Sequence, residues 1–111
     1  MNLERGCGEM ANNGKPERFG DIGGLWEEYD PEWVKIEDLL DVELEVCDAR
    51  RIRGQYGDYV SVLAYREGET TPVAFNTGSG PVVDKVLKAL EKNWLPLKGK
   101  IVRVKRYYDI R

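Results

Sequence analysis

The sequence predicts a mainly β domain carrying one helix, with elements in the order β-β-β-α-β-β. Three observations lead there. Val42, Leu44 and Val46 alternate with Glu43 and Glu45, the period of a half-buried strand. Val82, Val83, Val86, Leu87 and Leu90 recur at helical spacing, with Asp84, Lys85, Lys88 and Glu91 on the other side. Short apolar runs bounded by Gly, Pro and charged turns flank that helix on both sides. With 111 residues, 41% apolar and 33% charged, the chain is one domain's worth and can bury a core unaided.

In chain order, residues 1–24 hold six of the twelve glycines and few large apolar groups. They are predicted to form a flexible N-terminal tail, because such a stretch cannot offset its ordering entropy. Residues 25–40 are predicted as a short acidic helical lead-in. Asp30 would cap it, Pro31 would open it, and Trp33, Ile36 and Leu40 would share one face. Trp33 is expected to pack that helix onto the domain.

The first long strand runs from Val42 to Ile52, with a bulge expected near Asp48-Ala49. Residues 54–58 make a turn and 59–65 a second strand. Pro72 opens a third, ending at Thr77. Ser79-Gly80-Pro81 starts the helix, Asn93 stops it and Pro96 lies just beyond. Trp94 is expected to cap the barrel. Residues 100–104 and 107–110 close the chain as a hairpin turning at Lys105-Arg106. Five strands with a helix between the third and fourth is the order of the five-stranded OB-fold, a Greek-key barrel, here over residues 41–111. A helix of about twelve residues at that place favours it over an SH3-like barrel.

Composition excludes much chemistry. Histidine is absent, which removes the commonest general base and metal ligand. The two cysteines cannot build a four-ligand zinc site. Cys7 lies in the glycine-rich tail and Cys47 in an apolar run, so a disulfide is not expected. No apolar run approaches a membrane span and no secretory signal is expected. The expectation is a cytoplasmic, non-enzymatic protein with no catalytic residue, metal or cofactor.

Charge is uneven. Residues 1–40 hold four basic and ten acidic side chains, a net −6, whereas residues 41–111 net +3. From Ala49 onward there are 13 basic and 6 acidic residues, a net +7. The split predicts a basic working surface and an acidic segment able to dock a protein partner or cover that surface.

Several segments carry a resemblance. They are Ile36-Glu37-Asp38-Leu39-Leu40 leading into Val42–Val46, Tyr56-Gly57-Asp58-Tyr59, Phe75-Asn76-Thr77-Gly78-Ser79 and Tyr107-Tyr108. Together they resemble the small OB-fold single-stranded DNA-binding proteins of phages, archaeal viruses and prokaryotes. The resemblance covers about residues 36–111. It implies a DNA replication or repair setting and a groove over strands two and three, flanked by the loops joining strands one to two and four to five.

Single strands are held by cations along the phosphates and by aromatic faces under the bases. Candidate binding residues are Arg50, Arg51 and Arg53 leading into the first turn and Tyr56 within it. Tyr59 and Tyr65 on the second strand and Phe75 on the third follow. Lys100, Arg103, Lys105, Arg106 and Tyr107 complete the set. If Val60, Val62 and Ala64 point inward, Tyr59, Ser61, Leu63 and Tyr65 share the other face. Gly78-Ser79-Gly80 reads as a helix start rather than a phosphate cradle, and Glu27-Glu28 and Glu37-Asp38 as solvated acids. The expected ligand is single-stranded nucleic acid, DNA favoured over RNA. The alternatives are RNA or a protein-interaction role for the tyrosine face.

Overall fold

The computed structural model of the protein describes Cys7 and residues 25–111. Seven elements follow one another: β1 (Glu32–Trp33), β2 (Glu43–Gly54), β3 (Gly57–Arg66), β4 (Pro72–Thr77), α1 (Gly80–Glu91), β5 (Leu97–Val104) and β6 (Tyr107–Ile110). The strands form one six-stranded sheet in the order β1-β4-β3-β2-β5-β6. All neighbours are antiparallel except β1 and β4. The architecture is mainly β with one helix, as the periodicities predict. The sheet is not closed into a barrel: among the described residues no ladder joins β6 to β4.

The β2–β3 hairpin is built by its glycines. A side chain at Gly54 would place Cβ 2.7 Å from the Gly57 carbonyl oxygen, and Gly57 has φ +128°. Both positions therefore suit glycine, which fixes a two-residue turn at Gln55-Tyr56. Further along, the pairing shifts register between Val46 and Asp48, leaving Cys47 as the extra residue. The bulge is thus one residue earlier than expected.

β3 is central and buried on both faces. Val60, Val62 and Ala64 join Leu44, Val46, Val73, Phe75, Val82, Val86 and Ile101 in the main core beneath α1. On the opposite face Leu63 and Ala74 pack against Trp26, with Leu25 and Tyr29 alongside. Trp26 is almost fully buried, and its indole N–H donates to Ser61 Oγ at 3.0 Å. Burying a side chain of this size stabilises by about 2–3 kcal/mol, and the hydrogen bond removes the polar penalty.

α1 ends as its sequence predicts. Asn93 takes a left-handed conformation (φ 59°). Asn93 N–H then donates to Leu90 O (3.2 Å) and Trp94 N–H to Ala89 O (2.8 Å), the paired bonds of a Schellman end.

Two expectations fail in the lead-in. Residues 33–40 are not an α-helix. Glu32 and Trp33 pair with Val73 and Ala74 at the sheet edge, and the lead-in coils only as two 3-10 turns, Glu27–Tyr29 and Ile36–Leu39. Asp30 sits at φ 47°, outside the extended region that an N-cap needs. Trp33 is half exposed on that edge and Trp94 half exposed after α1, so neither packs as expected.

A third correction concerns the cysteines. Cys7 and Cys47 form a disulfide, with Cα atoms 4.9 Å apart. The bulge leaves Cys47 as the extra residue of β2, and Cys7 N–H donates to the nearby Glu45 Oε1 at 3.4 Å. The predicted tail otherwise lies outside the described residues.

Candidate nucleic-acid interface

The twelve predicted binding residues fall into three groups. Tyr65 and Phe75 are buried and cannot offer faces to bases, a correction for both. Phe75 belongs to the core below α1. Tyr65 lies on the face opposite that core, as the alternation predicts, but it is shielded there and only 6% exposed. On the same face Trp26, on a segment that carries no strand signal, covers Leu63 and Ser61. Sequence alternation finds the register of β3 but not the segment that covers it.

The second group is the β2–β3 hairpin. Arg50 is exposed, yet its guanidinium lies over the Trp26 ring, 4.7 Å from the centroid. Such a cation–π contact contributes about 0.5–1 kcal/mol at an exposed site. Arg51 approaches Asp58 at 3.8 Å with both side chains half exposed, which is worth little. Arg53 pairs across the ladder with the same Asp58. Tyr56 is 96% exposed at the tip and Tyr59 half-buried behind it. Burial raises the Tyr29 phenol above its ordinary value, with Glu28 and Asp48 adding to the shift and Arg50 opposing it.

The third group is the β5–β6 hairpin. Lys100, Arg103, Lys105, Arg106 and Tyr107 are all exposed, Tyr107 by 44%. Lys105 turns the chain with φ 57°, and Arg103 Nε–H donates to its carbonyl at 3.3 Å. Residues 97–111 carry six cations, Lys98, Lys100, Arg103, Lys105, Arg106 and Arg111, against the single acid Asp109. Glu45 and Glu43 lie opposite Lys98 and Lys100 across the β2–β5 ladder. The field is therefore strongest toward Arg103–Tyr107, beyond those acids.

The two exposed groups lie past opposite ends of β2. β5 runs antiparallel to β2 with Lys100 beside Glu43, so the 105–106 turn lies beyond the start of β2. The 55–56 turn lies beyond its end.

Asp109 and Lys85 were missed by sequence reasoning. Lys85 Nζ meets Asp109 Oδ1 at 2.9 Å, and Arg111 Nε meets Oδ2 at 3.1 Å. The Lys85 hydrogen bond, helped by Arg111, holds the Asp109 carboxyl below the usual aspartate range, although burial pushes the other way. Lys85 lies on the charged side of α1 in the sequence pattern, but nothing local says which strand it faces. Among the described residues no group of three acidic or cysteine side chains is placed to hold a metal ion, and no helix is long and apolar enough to cross a membrane.

No protein-family model, curated protein or solved structure matches the chain.

Proposed function

We propose that the protein is a non-enzymatic domain that binds single-stranded nucleic acid, DNA before RNA, with little sequence preference. The observation that carries this reading is the β5–β6 hairpin: six cations against one acid within fifteen residues, with Tyr107 exposed among them. Arg103, Lys105 and Arg106 would track phosphates while Tyr107 stacks under a base. The β2–β3 tip, with Arg53 and Tyr56, would serve as a separate outer contact. The strand order β4-β3-β2-β5-β6, with α1 between β4 and β5, supports an opened OB-type arrangement of these strands. A cytoplasmic setting belongs to the same proposal. The Cys7–Cys47 disulfide weighs against that setting, since cytosolic thiols are generally kept reduced.

The test is a fluorescence titration with labelled oligo-dT and oligo-U at two salt concentrations. Neutralising three to five phosphates gives a log–log slope of about −2 to −3.5. No binding at low salt would sink the proposal. It would favour the protein-interaction reading, for which exposed Trp33 beside β4 is the leading surface.

A further inference from the structure

We propose that the cleft between α1 and the β5–β6 hairpin binds a small amphiphilic monoanion, a carboxylate carrying one ring or a short branched hydrocarbon. The cleft is separate from Arg103–Tyr107 and does not depend on nucleic-acid binding.

Its walls are apolar. Val46 from β2, Val86 and Ala89 from α1, Leu95 and Leu97 after the helix, and Ile110 from β6 enclose about 170 Å³. A dry apolar cavity of about 150 Å³ is enough to take a benzene ring. A nucleotide, with base, sugar and phosphate, is far too large. The cleft opens to solvent at Leu97, an apolar side chain that the fold leaves 45% exposed. An apolar surface on a chain this rich in charge marks a place where something docks.

The remaining lining residues, Lys85, Lys98 and Arg111, are all cationic and exposed. Two of them are held in place. Asp109 fixes Lys85 Nζ at 2.9 Å and Arg111 Nε at 3.1 Å, and Lys85 Nζ also donates to Ile110 O at 3.1 Å. Lys98 is in no ion pair among the described residues. Asp109 balances one of the three charges and Glu45, the cross-strand partner of Lys98, offsets part of a second, so the rim keeps a small positive excess next to an apolar floor. A carboxylate fits that rim because arginine and lysine bind it through charge-assisted hydrogen bonds while its hydrocarbon part enters the cavity. Uncharged hydrocarbon would satisfy the floor and leave the rim unused.

The test uses the full chain and 3-phenylpropanoate at neutral pH, followed by 1H–15N chemical shifts. Saturable one-site shifts confined to α1, residues 95–98 and 110–111 are expected. The neutral analogue 3-phenylpropan-1-ol should bind at least tenfold more weakly. Ala89→Leu, which fills the cavity, should abolish binding. Should that variant not fold, Lys98→Glu, at an exposed position, should weaken binding severalfold with the melting temperature unchanged. Absence of saturation, equal affinity for the alcohol, or shifts elsewhere would overturn the proposal. So would binding seen only with a longer peptide bearing phenylalanine and carboxylates, which would make the cleft a protein-docking groove.

Discussion

Ser79 and Tyr108 are tied by two hydrogen bonds through one hydroxyl: Ser79 Oγ–H donates to the Tyr108 carbonyl at 2.6 Å and Oγ accepts from the Tyr108 N–H at 3.0 Å. Ser79 lies two residues after β4 at the N-cap position of α1, whereas Tyr108 is on β6, at the far side of the sheet. One side chain thus replaces a missing rung between the two. The free edge of β6 is occupied elsewhere too, since Ile110 O accepts from Lys85 and Ile110 N–H donates to Asp109. An edge satisfied by side chains resists pairing with another chain.

Ser79→Ala should therefore leave two half-buried backbone groups without a partner. A loss of about 1–3 kcal/mol is expected, seen as a drop in melting temperature at roughly 4–8 °C per kcal/mol for a domain near this size. A loss below about 0.5 kcal/mol would show that water replaces the hydroxyl.

Asp109 predicts an acid limb in the stability curve. Its folded pKa is depressed, so its contribution is complete above the ordinary aspartate range near 3.9. That contribution is lost as the pH falls through the lower folded value. Asp109→Asn should cost about 1–3 kcal/mol near neutral pH. The difference between wild type and variant should hold down to about pH 5 and shrink below about pH 4. A difference that does not vary with pH would mean that the carboxylate charge plays no part.

Much of the fold was legible, for reasons that these residues make plain. β2, β3, β4 and α1 carry their period locally: Leu44 and Val46 alternate, and Val82, Val86 and Ala89 line one face. What was not legible depends on distant partners. Nothing near Trp26 announces that it will cover Ser61 and Leu63, and nothing near Cys7 announces Cys47. The misplaced site residues follow from this. The outer face of β3 is set by alternation, but the cover over Ser61 and Leu63 comes from Trp26, 35 residues before Ser61.

The Cys7–Cys47 bond closes a loop with a sequence separation of 40. A loop of this length predicts about 4 kcal/mol of stabilisation from chain entropy. Urea unfolding with and without reductant, and of the Cys7→Ser/Cys47→Ser double variant, measures it. A cost under about 1 kcal/mol would mean that the bond does not restrain the unfolded chain.

The last prediction decides which hairpin contacts nucleic acid. The β2–β3 arginines are partly engaged, Arg50 by Trp26 and Arg51 by Asp58. At the β5–β6 tip, Arg103, Lys105 and Arg106 lie beyond Glu43 and Glu45, and residues 97–111 contain only Asp109 as an acid. Neutralising Lys105 and Arg106 together should flatten the salt slope by about 1.4, two phosphates at about 0.7 each. Neutralising Arg51 and Arg53 should change it by half of that or less. Tyr107→Ala should weaken binding by about 1–3 kcal/mol if its ring stacks on a base, with stability little changed because the ring is exposed. Tyr59→Ala should do the reverse: its half-buried ring lies 3.4 Å from where a side chain on Gly54 would sit, so the hairpin loosens while affinity per folded molecule holds. Oligonucleotide titrations and thermal melts on the same four variants separate the outcomes. Should Arg51 and Arg53 carry the larger slope change, with Tyr59 the larger affinity loss, the interface lies on the β2–β3 arm. The charge excess of residues 97–111 would then serve another ligand.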